Sequence, residues 1–258
     1  MRAAFFDLDK TVIAKSSLIA LGPELHARGL LQRRTLIRAG IAQLWFQRFG
    51  ADEKRLERVR ESVLKITRGW DRDEMRQLVK ETINEAIEPL IYAEALELID
   101  FHLARGEEVY LVSSAPAEIV EPFAELLGMT GAISSQATID EEGKFTGEME
   151  FFALGENKAL AIRELAERRG IDLAESSAYS DSESDVPMLE AVGHPYVVNP
   201  DRVLAKFAHD HQWPILTFSH PVTALSRSKS HTPFFVSAVV VGVAAVLGGL
   251  GGARSLKR

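Results

Sequence analysis

The sequence predicts an α/β fold: a parallel sheet with crossover helices, interrupted by an all-helical insertion and followed by a C-terminal transmembrane helix. Three observations predict it. From residue 89 onward, short apolar runs alternate with amphipathic stretches, the pattern of a sheet whose strands are joined by helices. Between residues 16 and 88 no strand-like alternation occurs. Residues 234–253 carry no charge and a single hydroxyl, Ser237. The expected organisation is a core formed by residues 1–15 and 89–218, a helical insertion at 16–88, a linker at 219–233 and a membrane anchor at 234–253.

The elements follow in order. Ala3 to Phe6 is an apolar run too short for a helix and suits a buried strand. It stops at Asp7-Leu8-Asp9-Lys10-Thr11. The insertion is rich in Leu, Arg, Glu and Gln, with Gly29, Gly50 and Gly69 as breaks between helices. A helix over 92–104 ends near Gly106 and leads into the strand Glu108 to Val112. A helix from Pro116 to Leu127, a short strand near Ala132-Ile133 and a hairpin turning at Gly143 come next. A helix from Asn157 to Arg169 has Gly170 as its stop. Ser177 to Tyr179 and Tyr196 to Val198 are the last strands, and a helix covers 202–209.

The bulk properties exclude some classes. The 258 residues are 46% hydrophobic and 26% charged, enough for a full core. A net charge of -7 argues against a nucleic-acid binder. Cysteine is absent, so there is no disulfide framework, thiolate nucleophile or cysteine zinc site. The N-terminus meets an acidic residue too early for a signal-peptide apolar region. About twenty helical residues span the hydrocarbon layer, and the Val and Gly of 234–253 are better tolerated in a membrane than in a soluble helix. A single-pass tail anchor with the main domain in the cytoplasm is expected. Flanking basic residues, Arg227 and Lys229 before and Arg254, Lys257 and Arg258 after, leave its orientation open.

The chemistry gathers at strand ends. In an extended backbone, residues i and i+2 point to one side, so the Asp7 and Asp9 carboxylates are expected to face one space. Like charges that close need a cation or a shared proton, and a magnesium ion would satisfy them while binding phosphate oxygens. One carboxylate can then attack phosphorus while its neighbour passes protons. A calcium loop fails at both acidic runs, because Val12 and Val186 stand where Gly is required. Ser113 lies at the end of a strand before a helix start, where a hydroxyl and free N–H groups can cradle phosphate, and Ser114 can add an N–H. Lys158 opens a helix, an unfavourable place for a cation that a bound phosphate would explain. Asp181 follows a strand and can complete a metal site, while Asp185 can orient Lys158 or a metal-bound water. Asp7, Ser113 and Asp181 thus lie just past predicted strands, along the edge where open parallel sheets bind ligands. A nucleophile, a metal, a cationic clamp and hydroxyl donors together suit phosphoryl transfer.

Asp7-Leu8-Asp9-Lys10-Thr11, then Ser113, Lys158 and Asp181 with Asp185, resemble the four motifs of the haloacid dehalogenase superfamily. The helical insertion between the first two motifs resembles the cap of its phosphoserine phosphatase-like branch. The likeness covers residues 3–218 and implies a Rossmann-like core. It implies Asp7 as nucleophile and Asp9 as general acid and base. It also implies Ser113 and Lys158 as phosphate ligands, and magnesium held by Asp7, Asp181 and the Asp9 backbone carbonyl, with Asp185 in support. Ser16 stands where phosphoserine phosphatases carry a substrate-binding glutamate, and Ser184 where an asparagine is expected. These two departures leave open whether phosphoserine is the substrate.

The expected partner is a phosphorylated small molecule or lipid. The lipid reading rests on the tail and on Arg28, Arg33, Arg34, Arg38 and Arg48, set among apolar residues between His26 and Phe49. Packing of that segment within the insertion is the alternative. Rival readings are a phosphotransferase or mutase using the same intermediate, and a non-catalytic membrane-tethered phosphate-binding module.

Overall fold

The computed structural model describes residues 1–29, 61, 64–83 and 88–221. Met1–Val222 form one compact unit; the second, Thr223–Arg258, lies wholly outside the described residues. The expected anchor at 234–253 and most of the basic stretch of the insertion also fall outside them. No helix among the described residues is long and apolar enough to cross a membrane.

A seven-stranded sheet runs in the order β4-β3-β2-β1-β5-β6-β7. Its strands are β1 (Ala3–Asp7), β2 (Glu108–Pro116), β3 (Gly131–Ile139), β4 (Phe145–Phe151), β5 (Ser177–Ser180), β6 (His194–Val198) and β7 (Ile215–Leu216). Neighbours pair in parallel, except for the antiparallel hairpin of β3 and β4. The chain leaves β1 toward β2 on one side and returns to β5 on the other, so the order reverses beside β1. That is where an open α/β sheet forms a crevice at its carboxyl edge.

Successive residues of β1 supply both faces. Phe6 packs with Leu111, Ile119, Phe123 and Tyr179, while Phe5 packs opposite with Val112, Ile162, Ala178 and Met188. Phe6 stacks on Tyr179 and Tyr179 on Tyr196, with centroids 4.3 and 5.0 Å apart. The Tyr179 hydroxyl meets His102 Nε2 at 2.8 Å, which gives the polar tip of a buried ring its partner.

Among the described residues the helices are α1 (Ser17–Ala27), α2 (Arg72–Thr82), α3 (Ala93–Ala104), α4 (Ala117–Leu126), α5 (Glu156–Arg169), α6 (Val186–Glu190) and α7 (Arg202–Asp210). The described parts of the insertion include α1 and α2, and Asp71 caps α2 by accepting from the N–H groups of Asp73 and Glu74. The two chain crossings between insertion and core lie side by side, with Ala14 N–H donating to Leu90 O at 2.8 Å. Gly170 ends α5 in the left-handed conformation, φ 69° and ψ 37°.

Three expectations need correction, and one further helix is found. β2 does not stop at Val112 but runs to Pro116, because β3 continues to pair with it past a register shift after Ser113. β3 is correspondingly longer than the expected pair of residues. Val186 to Leu189, assigned to no element in the sequence, open α6, with Pro187 in its first turn, where the missing N–H forfeits no intrahelical bond. The start of the expected linker is docked: Ser219 N–H donates to Glu94 Oε1 at 2.9 Å and Ala93 N–H to His220 O at 2.8 Å.

Gly193 is a point of close backbone approach. A Cβ there would lie 1.8 Å from the Ala174 carbonyl oxygen. That backbone is held by Gly193 N–H to Leu173 O and by Asp172, which caps the turn at Ala174. Gly193→Ala is therefore expected to cost about 2 kcal/mol or more, read as a lower melting temperature.

Candidate active site

Asp7 is the last residue of β1 and pairs with Val112 of β2, which brings Ser113 to the adjacent strand just beyond it. β5 flanks β1 on the other side and delivers Ser180 and Asp181 to the same edge. Lys158, in the first turn of α5, reaches into this space, where its Nζ lies 2.7 Å from Asp7 Oδ1 and 2.8 Å from Asp185 Oδ2. Ser180 Oγ donates to the same Asp185 oxygen at 2.7 Å. Lys158 is 2% exposed, Asp185 2% and Asp7 7%. A cation at a helix start is disfavoured by the helix dipole, and here two carboxylates hold it.

The charges do not balance. Burial alone would lower the Lys158 ammonium, but Asp185 and Asp7 raise it well above its ordinary range, so it stays charged. Burial pushes Asp7 well above the usual carboxylate range; Lys158 opposes this, while Asp185 and Asp181 add to it. Burial also pushes Asp181 up to about 7, against the pull of Lys10, whose Nζ stands 3.7 Å away. One buried ammonium thus faces more carboxylate charge than it offsets.

A divalent cation fits that excess. The donors at Asp7 and Asp181 are oxygens, suited to a hard ion such as magnesium. Among the described residues no three carboxylate or imidazole side chains converge as a metal cage. Any further ligand has to come from a main-chain oxygen, water or substrate, in keeping with an ion that retains several waters.

Asp9 Oδ1 accepts the Ser17 N–H at 2.8 Å, at the start of α1. The like charges that raise Asp7 are chiefly Asp185 and Asp181. Burial still raises the Asp9 carboxyl, against the hydrogen bonds from Ser17 and Ser16. A carboxyl whose proton is held more tightly than usual suits general acid work.

Ser113 is buried, and its Oγ accepts the Ala115 N–H at 3.2 Å, within the part of β2 where the pairing with β3 shifts register. Ser114 is exposed, and its carbonyl accepts from Ser135 Oγ at 2.7 Å. The structure therefore brings together Asp7, Lys158, Asp185 and Asp181, with Asp9 and Ser113 on the neighbouring segments. Sequence reasoning gave no role to Ser180, Ser17 or Lys10. Ser180 stood beside Asp181 in the motif; Ser17 could be found only as the N–H that opens a helix; Lys10 is marked by a φ of 64°, rare for a side-chain-bearing residue.

The profile of the haloacid dehalogenase-like hydrolase family matches residues 4–190. The chain is 45% identical over 252 residues to an "inhibition of morphological differentiation" protein of Streptomyces azureus, covering 96% of this chain and 91% of that one. It is 45% identical over 248 residues to a probable phosphatase of Mycobacterium tuberculosis, with 96% and 86% covered. A solved phospho-aspartyl intermediate analogue of phosphoserine phosphatase shares the fold, with a TM-score of 0.58 and 18% identity over 85% of this chain and 94% of that one.

Proposed function

The chain belongs to the haloacid dehalogenase-like hydrolase family, in its phosphoserine phosphatase-like branch, and is a phosphatase-type hydrolase; we propose that it cleaves phosphomonoesters with magnesium, through an aspartyl-phosphate formed on Asp7. The observation that carries this reading is the buried Lys158 ammonium bridging Asp7 and Asp185 at the carboxyl edge of the sheet.

In this mechanism an Asp7 oxygen attacks phosphorus, the bond from phosphorus to the ester oxygen breaks, and Asp9 gives its proton to the leaving alcohol. Water then attacks the acyl-phosphate, Asp9 takes its proton back, and Asp7 and inorganic phosphate are released. Lys158 has three N–H donors, two of them engaged by Asp7 and Asp185, which leaves one for a phosphoryl oxygen. Ser113 and the Ser114 N–H hold the phosphoryl group from β2. Asp185, fixed by Ser180, keeps Lys158 aimed at the nucleophile. Asp7, Asp181 and the Asp9 carbonyl would hold magnesium, which when bound would compensate charge on the phosphoryl oxygens. In the same proposal the substrate is a small or membrane-proximal phosphomonoester, and residues 234–253 tether the catalytic part to a membrane from its cytoplasmic side. The support for the tether is the uncharged run of twenty residues.

Turnover of p-nitrophenyl phosphate by the full chain tests this. Chelation of divalent ions is expected to lower the rate at least ~100-fold and added magnesium to restore it. Acid-quenched enzyme should carry phosphate released by hydroxylamine. Turnover indifferent to chelation, or no labelled enzyme at any time, would overturn the proposal.

A further inference from the structure

The turn that leaves β1 carries a lysine with no part in the proposed steps. Lys10 has a φ of 64°. That left-handed conformation is strained for a residue with a side chain and free for glycine, and strain kept beside a site points to a use for the side chain. The turn is fixed by the N–H groups of Val12 and Ile13, which both donate to Leu8 O at 3.0 Å. From it the Lys10 ammonium reaches the carboxyl edge of the sheet. Its Nζ stands 3.7 Å from Asp181 Oδ2, too far for a hydrogen bond but close enough for an ion pair. The Lys10 side chain is 33% exposed, whereas that of Asp181 is buried.

Lys10 is thus a second cation on the carboxylate cluster, and the less buried of the two. Lys158 bonds to Asp7 and Asp185; Lys10 faces Asp181 instead. Three carboxylates against two ammonium groups leave one negative charge. A divalent ion added alone would overshoot to one positive charge, and a phosphoryl dianion added with it would return the cluster to one negative charge. Without Lys10 the ion alone would bring the cluster to neutrality. Across a few ångströms, one ammonium therefore works against the ion and in favour of the anion.

Building on the magnesium-dependent reading above, we infer that the Lys10 ammonium weakens divalent-ion binding at Asp181 and strengthens phosphate binding, so that ion and phosphoryl group enter the site together rather than the ion alone.

Calorimetric titrations of the full chain at pH 8.5, where protons compete little for the carboxylates, test this. One titration adds magnesium chloride; the other adds inorganic phosphate at saturating magnesium. Lys10→Met removes the charge and keeps a side chain at the left-handed position. It is expected to bind magnesium roughly tenfold more tightly than the parent and phosphate roughly tenfold more weakly. Lys10→Gly removes the strain as well, so it should show the same two shifts with no loss of melting temperature. Lys10→Arg keeps the charge and should bind both ligands as the parent does. A merely structural role would weaken both ligands together, so shifts of opposite sign are the signature of the charge. Magnesium binding in Lys10→Met and Lys10→Gly that is unchanged or weaker overturns the inference, as does unchanged phosphate binding. In either case the parent still binds magnesium and the phosphatase reading stands. A parent chain that binds no magnesium overturns the magnesium reading and this inference with it.

Discussion

Replacing Asp7 by Asn is expected to remove p-nitrophenyl phosphate turnover by roughly 10⁴-fold or more while leaving the protein at least as stable as the parent. The loss follows from the amide's inability to attack phosphorus; deleting a covalent nucleophile has effects of this order. The stability follows from the charge excess. Asp7 is buried, and its carboxyl is pushed well above the ordinary range by burial and by Asp185 and Asp181. A folded-state value above the unfolded one means that the folded protein binds more protons in the intervening pH window. Stability contributed by this group is thus complete below the unfolded value, near 3.8, and declines as pH rises through the folded one. An amide does not ionise and escapes that decline, while Lys158 keeps Asp185 as a partner. The melting temperature of Asp7→Asn relative to the parent should therefore grow from acid toward neutral pH. Retention of a tenth of the activity would end the nucleophile assignment, and a variant much less stable at neutral pH would end the account of the charges.

How far the sequence could be read depended on whether a signal was local. Gly170 stops α5 as read, because the left-handed residue after a helix is a single-residue requirement. Lys158 was visible through its wrong end of the helix dipole. What occupies it could not be read, since Asp7 lies 151 residues away in the chain. The spacing of Asp7 and Asp9 marked two acids at a strand end, while the Ser17 N–H that Asp9 accepts belongs to a helix start that the pair itself does not announce. Glu118 looks like any acid on an amphipathic helix. Its burial comes from the insertion segment around Arg72 and from the hairpin, which no local pattern announces. β7 is two residues long and exists because β6 offers it an edge. Local chemistry thus gave the motif residues, and packing between distant segments gave their partners.

Lys158→Met is expected to fail on both counts, activity and stability, and the pH dependence of its stability separates the causes. Without the ammonium the phosphoryl group loses a donor and the nucleophile its orienting partner, so turnover should fall by about 10³-fold or more. Unlike Asp7→Asn, this change deepens the charge imbalance: Asp7 and Asp185 remain buried with no cation between them. Breaking a buried pair by removing one partner costs about 3–5 kcal/mol, and here one cation serves two carboxylates. The variant can relieve that cost by taking up protons. The Asp7 carboxyl, already raised in the parent, loses in Lys158 the charge that opposes the rise, so its folded value climbs further. Folding then binds protons over a wider window, and stability must fall as pH increases across it. The melting temperature of Lys158→Met should accordingly rise on acidification from about pH 7 to about pH 5, a trend opposite to that of a protein losing a native salt bridge in acid. Lys158→Arg offers a sharper contrast, since it keeps the charge but puts a planar fork where a compact ammonium fits between two oxygens. It should recover stability more fully than turnover. A Lys158→Met protein as stable as the parent at neutral pH would mean that the carboxylates around Asp7 are not held together by this lysine.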